Sequence, residues 1–150
     1  MMLRLIAFFL LALIATPSFA QQAVNITADL FTLDESSSTA VFTGNVVVVH
    51  PTVTVWASKV VATYGEGGTT DLETFDATGD VRLKTVDQEA TGQHAVFTPG
   101  DQLLRLTGNV VVVNAGGTVN AEELVVNLET NVSTFTSGQS GRVTGTFSSQ

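Results

Sequence analysis

The stretch Thr43–His50 reads TGNVVVVH, and Thr107–Asn114 reads TGNVVVVN. This near-identity constrains the fold more than any other feature, because repetition at fixed spacing means one supersecondary unit stacked against copies of itself. Gly44, Gly79 and Gly108 each sit in a TG(N/D)V box. Thirteen positions after each glycine stands a small residue, Ala57, Gly92 or Ala121, followed by a polar one, Ser58, Gln93 or Glu122. An apolar pair then follows at +3 and +5: Val60 and Ala62, Ala95 and Phe97, Leu124 and Val126. The earlier stretch ITADLFTL carries the second half of the same pattern in Ala28, Asp29, Phe31 and Leu33. The unit is about 29 residues long, with six extra residues around the turn GEGGTT.

Each half of the unit is a strand. In FDATGDVRLK, Phe75, Ala77, Gly79, Val81 and Leu83 share one face, and Asp76, Thr78, Asp80, Arg82 and Lys84 share the other. A period of two with one apolar face predicts a half-buried strand. The Val, Thr, Phe and Leu filling between Gly, Asn, Asp and Ser punctuation is β composition, and no stripe has helical spacing. After Ala57, Gly92 and Ala121 the apolar residues come one place later than strict alternation allows. One extra residue at that point is a β-bulge, and the small residue and the facing glycine let the backbone bend there. The chain therefore predicts an all-β stack of antiparallel strands with a line of bends across it. Val47, Val49, Val111 and Val113 fall on the outward side of that stack, an apolar surface that a subunit contact could cover.

The first residues have a different character. Arg4 precedes an apolar run over Leu5–Ala15, Pro17 breaks it, and Ser18 and Ala20 supply small residues at −3 and −1. This is the layout of a secretory signal peptide over 1–20, cleaved after Ala20. The run is shorter than the roughly 20 residues a membrane-spanning helix needs. Cleavage leaves Gln21–Gln150, a single domain of 130 residues, with five basic residues against 14 acidic ones and a net charge of −9. Such a surface repels nucleic acid. With no cysteine in the chain, the exported domain has neither disulfides nor thiolate metal sites. His50 and His94 have no metal-ligand partner at a workable spacing, so no metal and no cofactor is expected. Glu122–Glu123 and Asp34–Glu35 fall at a bulge and a turn, GEGG lacks the GK[ST] and helix of a phosphate loop, and no catalytic constellation stands out. The chain is not expected to be an enzyme.

The ordered series ITAD, AVFTGNVVV, ASKVVATY, ATGDVRL, TGQHAVFT, LRLTGNVVV, NAEELVVNL and GRVTGTF, after a signal peptide, resembles the LptA family of OstA-like proteins over about Val24–Phe147. No single box is specific; the order across the whole length is. The resemblance implies a periplasmic protein with a V-shaped β-jellyroll. It also implies a role in carrying lipopolysaccharide from the inner to the outer membrane, with the acyl chains held in an apolar groove. It further implies head-to-tail stacking on itself and contacts with LptC-like and LptD-like partners.

Alternation together with that groove assigns the inward residues strand by strand. They are Phe31; Phe42, Val46 and Val48; Ala57, Val60 and Ala62; Phe75, Val81 and Leu83; Ala95 and Phe97; Leu106, Val110 and Val112; and Leu124 and Val126. Phe31 and Leu124, nearest the open ends, are expected to meet lipid before mid-core residues do. The first unpaired edge is expected at Val24–Thr32, with Val24, Ile26 and Ala28 as contacts, and the last at Arg142–Phe147, with Arg142, Val143 and Phe147. The family often carries more basic residues at the groove rim, and only five remain here. Three other readings stay open on the sequence. A self-assembling structural β-solenoid predicts a dry, filled interior. An LptC-like component predicts an uncleaved anchor. An enzyme acting on envelope glycans predicts paired carboxylates facing one cleft.

Overall fold

The computed structural model describes residues 24–139 and 141–148, so the signal peptide expected at 1–20 lies outside the described residues. The strands are β1 (Asn25–Thr27), β2 (Leu30–Asp34), β3 (Thr39–Val49), β4 (Thr54–Tyr64), β5 (Leu72–Lys84), β6 (Gln88–Thr98), β7 (Leu103–Asn114), β8 (Gly117–Asn127), β9 (Val132–Thr136) and β10 (Thr144–Phe147). A single 3-10 turn, Gly68–Thr70, occupies the long β4–β5 connection. No helix among the described residues is long and apolar enough to cross a membrane. All ten strands form one antiparallel, open sheet, in which β3 through β8 pair in chain order. This is the all-β stack of antiparallel strands the repeat predicts, in the β-jellyroll form that the family resemblance implies.

The repeat is visible as continuous rows of cross-strand partners. Phe31, Phe42, Val60, Ala77, Ala95, Leu106, Leu124 and Phe135 stand opposite one another across eight strands. A second row runs Ile26, Val48, Val55, Leu83, Ala90, Val112, Val119. The two rows lie on opposite sides of the bulge line, so they belong to two wings of one sheet. Among the described residues, Leu106, Leu124, Val46, Val60, Val81 and Val110 are the largest fully buried side chains, and no polar or charged residue is buried. Burial of each such side chain is worth roughly 1.5–3 kcal/mol.

The bend has a more specific origin than the sequence reading gave it. Thr43 and Val46 face Lys59 and Ala57, so Gly44 and Asn45 stand against Ser58 alone. The same count recurs with Gly79 and Asp80 against Gln93, and with Gly108 and Asn109 against Glu122. The extra residue therefore belongs to the glycine strand, not to the strand of the small residue, which only changes phase to follow it. Both bulge residues take positive φ: 83° and 46° at Gly44 and Asn45, 82° and 46° at Gly79 and Asp80, 85° and 48° at Gly108 and Asn109. Glycine, then asparagine or aspartate, are the residues that tolerate this region.

Both ends of the sheet are split. β1 and β2 pair with the two halves of β3, and β10 and β9 with the two halves of β8. The expected first edge thus divides at Ala28–Asp29. The expected last edge shortens to Thr144–Phe147 and is joined by β9, which the sequence reading left out. This corrects the expectation for Leu124: Phe135 of β9 lies opposite it, and it is buried.

Candidate functional site: an apolar groove between two wings

The side chains of the two wings converge. A narrow apolar cavity of about 40 Å3 is lined by Val48, Val53 and Val55 from one wing and by Val60, Phe75, Ala77, Ala95, Phe97 and Leu104 from the other, with Val24, His50 and Leu128 completing it. Outside it opens a groove of about 950 Å3. Val24, Ile26, Phe42, Leu72, Phe75 and Phe97 supply its apolar wall, and Tyr64, Thr69, Thr70, Pro99 and Gln102 its rim. His50, Val24, Phe75 and Phe97 border both spaces, so they form the throat between them.

His50 is placed by the β3–β4 turn, where its N–H donates to Val53 O at 2.9 Å and Val53 N–H donates back at 3.2 Å. The Thr52 backbone N–H donates to His50 Nδ1 at 3.2 Å, with the Thr52 hydroxyl 2.9 Å from the same nitrogen. A backbone N–H can only donate, so Nδ1 accepts and the proton sits on Nε2. The ring meets Phe97 of the opposite wing edge-on at 6.2 Å, and Phe97 stacks on Phe75 at 6.3 Å. Burial pushes the imidazole below its ordinary value, because a charge there would lose hydration.

Of the residues assigned inward, Val46, Val48, Ala57, Val60, Ala62, Phe75, Val81, Leu83, Ala95, Leu106, Val110, Val112 and Leu124 are buried in one cluster, with Phe42, Phe97 and Val126 packed against it. Phe31 is the departure. It stacks on Phe42 at 4.8 Å but is 55% exposed, because β2 has a neighbour on one side only. Val24, Ile26 and Ala28 pack against the core, whereas Arg142, Val143 and Phe147 are exposed. Val47 and Val111 are partly buried on the outer face, and Val49 and Val113 are about half exposed. Leu104, Val55 and Ala77 line the cavity and were legible by alternation with Leu106, Ala57 and Phe75. Val53 and Leu128 lie in turns, where no period marks them.

The remaining chemistry is thin and faces outward. His94 Nε2 lies 2.7 Å from Asp76, and Arg105 lies 2.9 Å from Glu123, both on the outer face. No cluster of metal-ligating side chains occurs among the described residues.

Residues 25–132 match the family described as LptA/(LptD N-terminal domain) LPS transport protein. The chain belongs to this family. An uncharacterized protein of Rhizobium meliloti (strain 1021) is 31% identical over 104 residues, which are 65% of this chain and 56% of that protein. The chain thus spans little more than half the length of that curated relative. The crystal structure of LptH from Pseudomonas aeruginosa, described as the LptA-homologous periplasmic component of the lipopolysaccharide transport device, shares the fold. The likeness has a TM-score of 0.74 at 18% identity and covers 85% of this chain and 96% of LptH.

Proposed function

We propose that this family member is an exported, non-enzymatic carrier that holds the acyl chains of lipopolysaccharide between its wings. It stacks head to tail in the periplasm as part of a bridge from the inner to the outer membrane. The observation that carries this reading is an apolar groove opening into an apolar throat, in a chain of the LPS transport family. Each acyl CH₂ taken from water is worth about 0.8 kcal/mol, so a few chains bind tightly without ion pairs.

The two ends supply the stacking contact. β1, β2, β9 and β10 hold one charged residue between them, Asp34, and no lysine or proline, the residues that ordinarily protect an open edge. Leu30, Phe31 and Leu33 at one end, and Val132 and Phe147 at the other, are exposed large hydrophobics. With strict alternation from β3 to β8, β10 runs antiparallel to β1, and β9 to β2. A second copy translated along the stack therefore presents β10 to β1 and β9 to β2, each within its own wing. This is β-augmentation in an open, heterologous assembly. LptC-like and LptD-like proteins of the same fold are the proposed partners at the two ends.

Site-specific photocrosslinking in cells tests the reading. A photoreactive residue at Phe42 or Phe97 is expected to give lipopolysaccharide adducts, and one at Arg82, on the outer face, none. A folded and exported protein without adducts at either inward site leaves the dry structural solenoid as the better account.

A further inference from the structure

On the lipid-carrier reading above, we propose that the groove reads the acyl chains and the uncharged hydrogen-bonding groups beside them, and does not read phosphate. Every lysine and arginine after Arg4 lies among the described residues, five in all, and each is placed away from the groove. Lys59 is exposed beside buried Val60 and stands in the outer row with Thr43 and Thr78. Arg82 lies 4.1 Å over the outer face of Trp56 and 3.5 Å from Glu89. Lys84 is exposed next to buried Leu83, opposite Thr54 and Glu89. Arg105 projects between buried Leu104 and Leu106 on the far side and is held by Glu123. Arg142 lies at the outside of the bend, in a hollow with Asn109 and Glu122.

None of the five lines the groove or the throat. For the four that stand on strands, Lys59, Arg82, Lys84 and Arg105, alternation makes this a property of the backbone and not of rotamers: an outward side chain cannot reach the inner face without a register slip. The polar groups at the rim are instead the Tyr64, Thr69 and Thr70 hydroxyls, the Gln102 amide and the His50 imidazole. Gln102 Nε2 donates to Pro99 O at 2.8 Å and the Thr70 hydroxyl to Gly67 O at 3.2 Å, which leaves the Gln102 carbonyl and the Thr70 oxygen lone pairs as acceptors without a protein partner. Hydroxyls and an amide acceptor suit hydroxyacyl and amide groups, the part of an acylated glucosamine lipid nearest its chains. A phosphate needs concentrated cationic donors, and the balance of five basic against 14 acidic residues after Ala20 opposes its approach.

The test is equilibrium binding of radiolabelled lipid A carrying both phosphates, against the same lipid with its phosphates removed, at low and at high salt. The expected result is an equal or tighter hold on the dephosphorylated lipid, within about threefold, and little change with salt. A Lys59→Gln, Lys84→Gln double variant is expected to bind both lipids as the parent does. A loss of about tenfold or more on dephosphorylation, as expected where charge-assisted bonds hold a ligand, overturns the inference and leaves the carrier reading standing. Failure to bind either lipid overturns both.

Discussion

Gly79 shows how much one hydrogen atom can decide. Its φ is +82°, and a Cβ placed on it would lie 2.6 Å from Cβ of Ser58, a backbone-fixed atom that cannot swing aside. The same crowding recurs where Gly108 faces Gln93 and Gly44 faces Asp29, with Asn45 Nδ2 also donating to Asp29 Oδ2 at 3.0 Å. Gly79→Ala is therefore expected to cost about 1–3 kcal/mol from the left-handed backbone alone, read as a lower midpoint in thermal unfolding. Gly100→Ala, where a Cβ meets nothing within 4 Å and φ is ordinary, is the matched control and is expected to stay within about 0.5 kcal/mol of the parent. Equal midpoints for the two variants would mean the bend relaxes around a side chain. His50 gives a second prediction at this scale. Its folded imidazole binds a proton less readily than the unfolded chain's ordinary 6.5, so the stability it contributes is complete above that pH and is lost as pH falls through it toward the folded value. Thermal unfolding from pH 8 to pH 5 is expected to show that decline in the parent and a flatter profile in His50→Gln. Identical profiles would remove His50 as its source.

The strands separate what sequence pattern dictates from what it leaves open. Alternation in FDATGDVRLK placed Phe75, Val81 and Leu83 on the inner face, and the fixed offset from Gly79 to Gly92 placed the bend, because both depend on local sterics. The owner of the extra bulge residue was not legible, since a shift of phase on one strand looks the same whichever strand carries the insertion. The exposure of Phe31 follows from its place in the expected first edge, Val24–Thr32, and not from its pattern. Its strand has the same pattern as an interior one, and only the absence of a neighbour beyond β2 distinguishes it. His50 was legible as a turn residue beside Pro51, but not as part of a throat, because its partner Phe97 lies on another strand in the opposite wing. The end strands carry the prediction for this scale. Phe147 is 70% exposed on β10, so Phe147→Asp is expected to leave the unfolding midpoint nearly unchanged, within the ~0.5 kcal/mol typical of surface substitutions. On the head-to-tail reading it places a charge in the interface core and shifts sedimentation from oligomer to monomer. Self-association as strong as the parent's would exclude this end of β10 from the contact.

Across the whole molecule, the two spaces between the wings are mismatched in size. The outer groove holds about 950 Å3 and the throat about 40 Å3, and the latter has room for a few water-sized groups but not for an acyl chain. The interior behind the throat is filled by close-packed side chains, and such packing gives way by discrete rearrangement rather than by continuous stretching. A carrier of this shape must therefore part its wings to take chains deeper than the groove. The contact that has to open is the one between the β3–β4 turn and β6, where His50 meets Phe97 at 6.2 Å. The absence of cysteine makes the test clean. A His50→Cys, Phe97→Cys variant joined by a short cleavable thiol crosslinker ties the β3–β4 turn to β6 through two side chains and leaves the edge strands β1, β2, β9 and β10 unaltered. The crosslinked protein is expected to keep its β-sheet circular dichroism and its self-association, and to lose lipid A binding by about tenfold or more, since each chain segment held out costs about 0.8 kcal/mol per CH₂. Cleaving the crosslinker is expected to restore binding, which separates closure of the throat from loss of the two side chains. Unchanged binding while the crosslink is intact would confine the lipid to the outer groove, with Phe42, Leu72 and Tyr64 rather than the buried rows as its contacts.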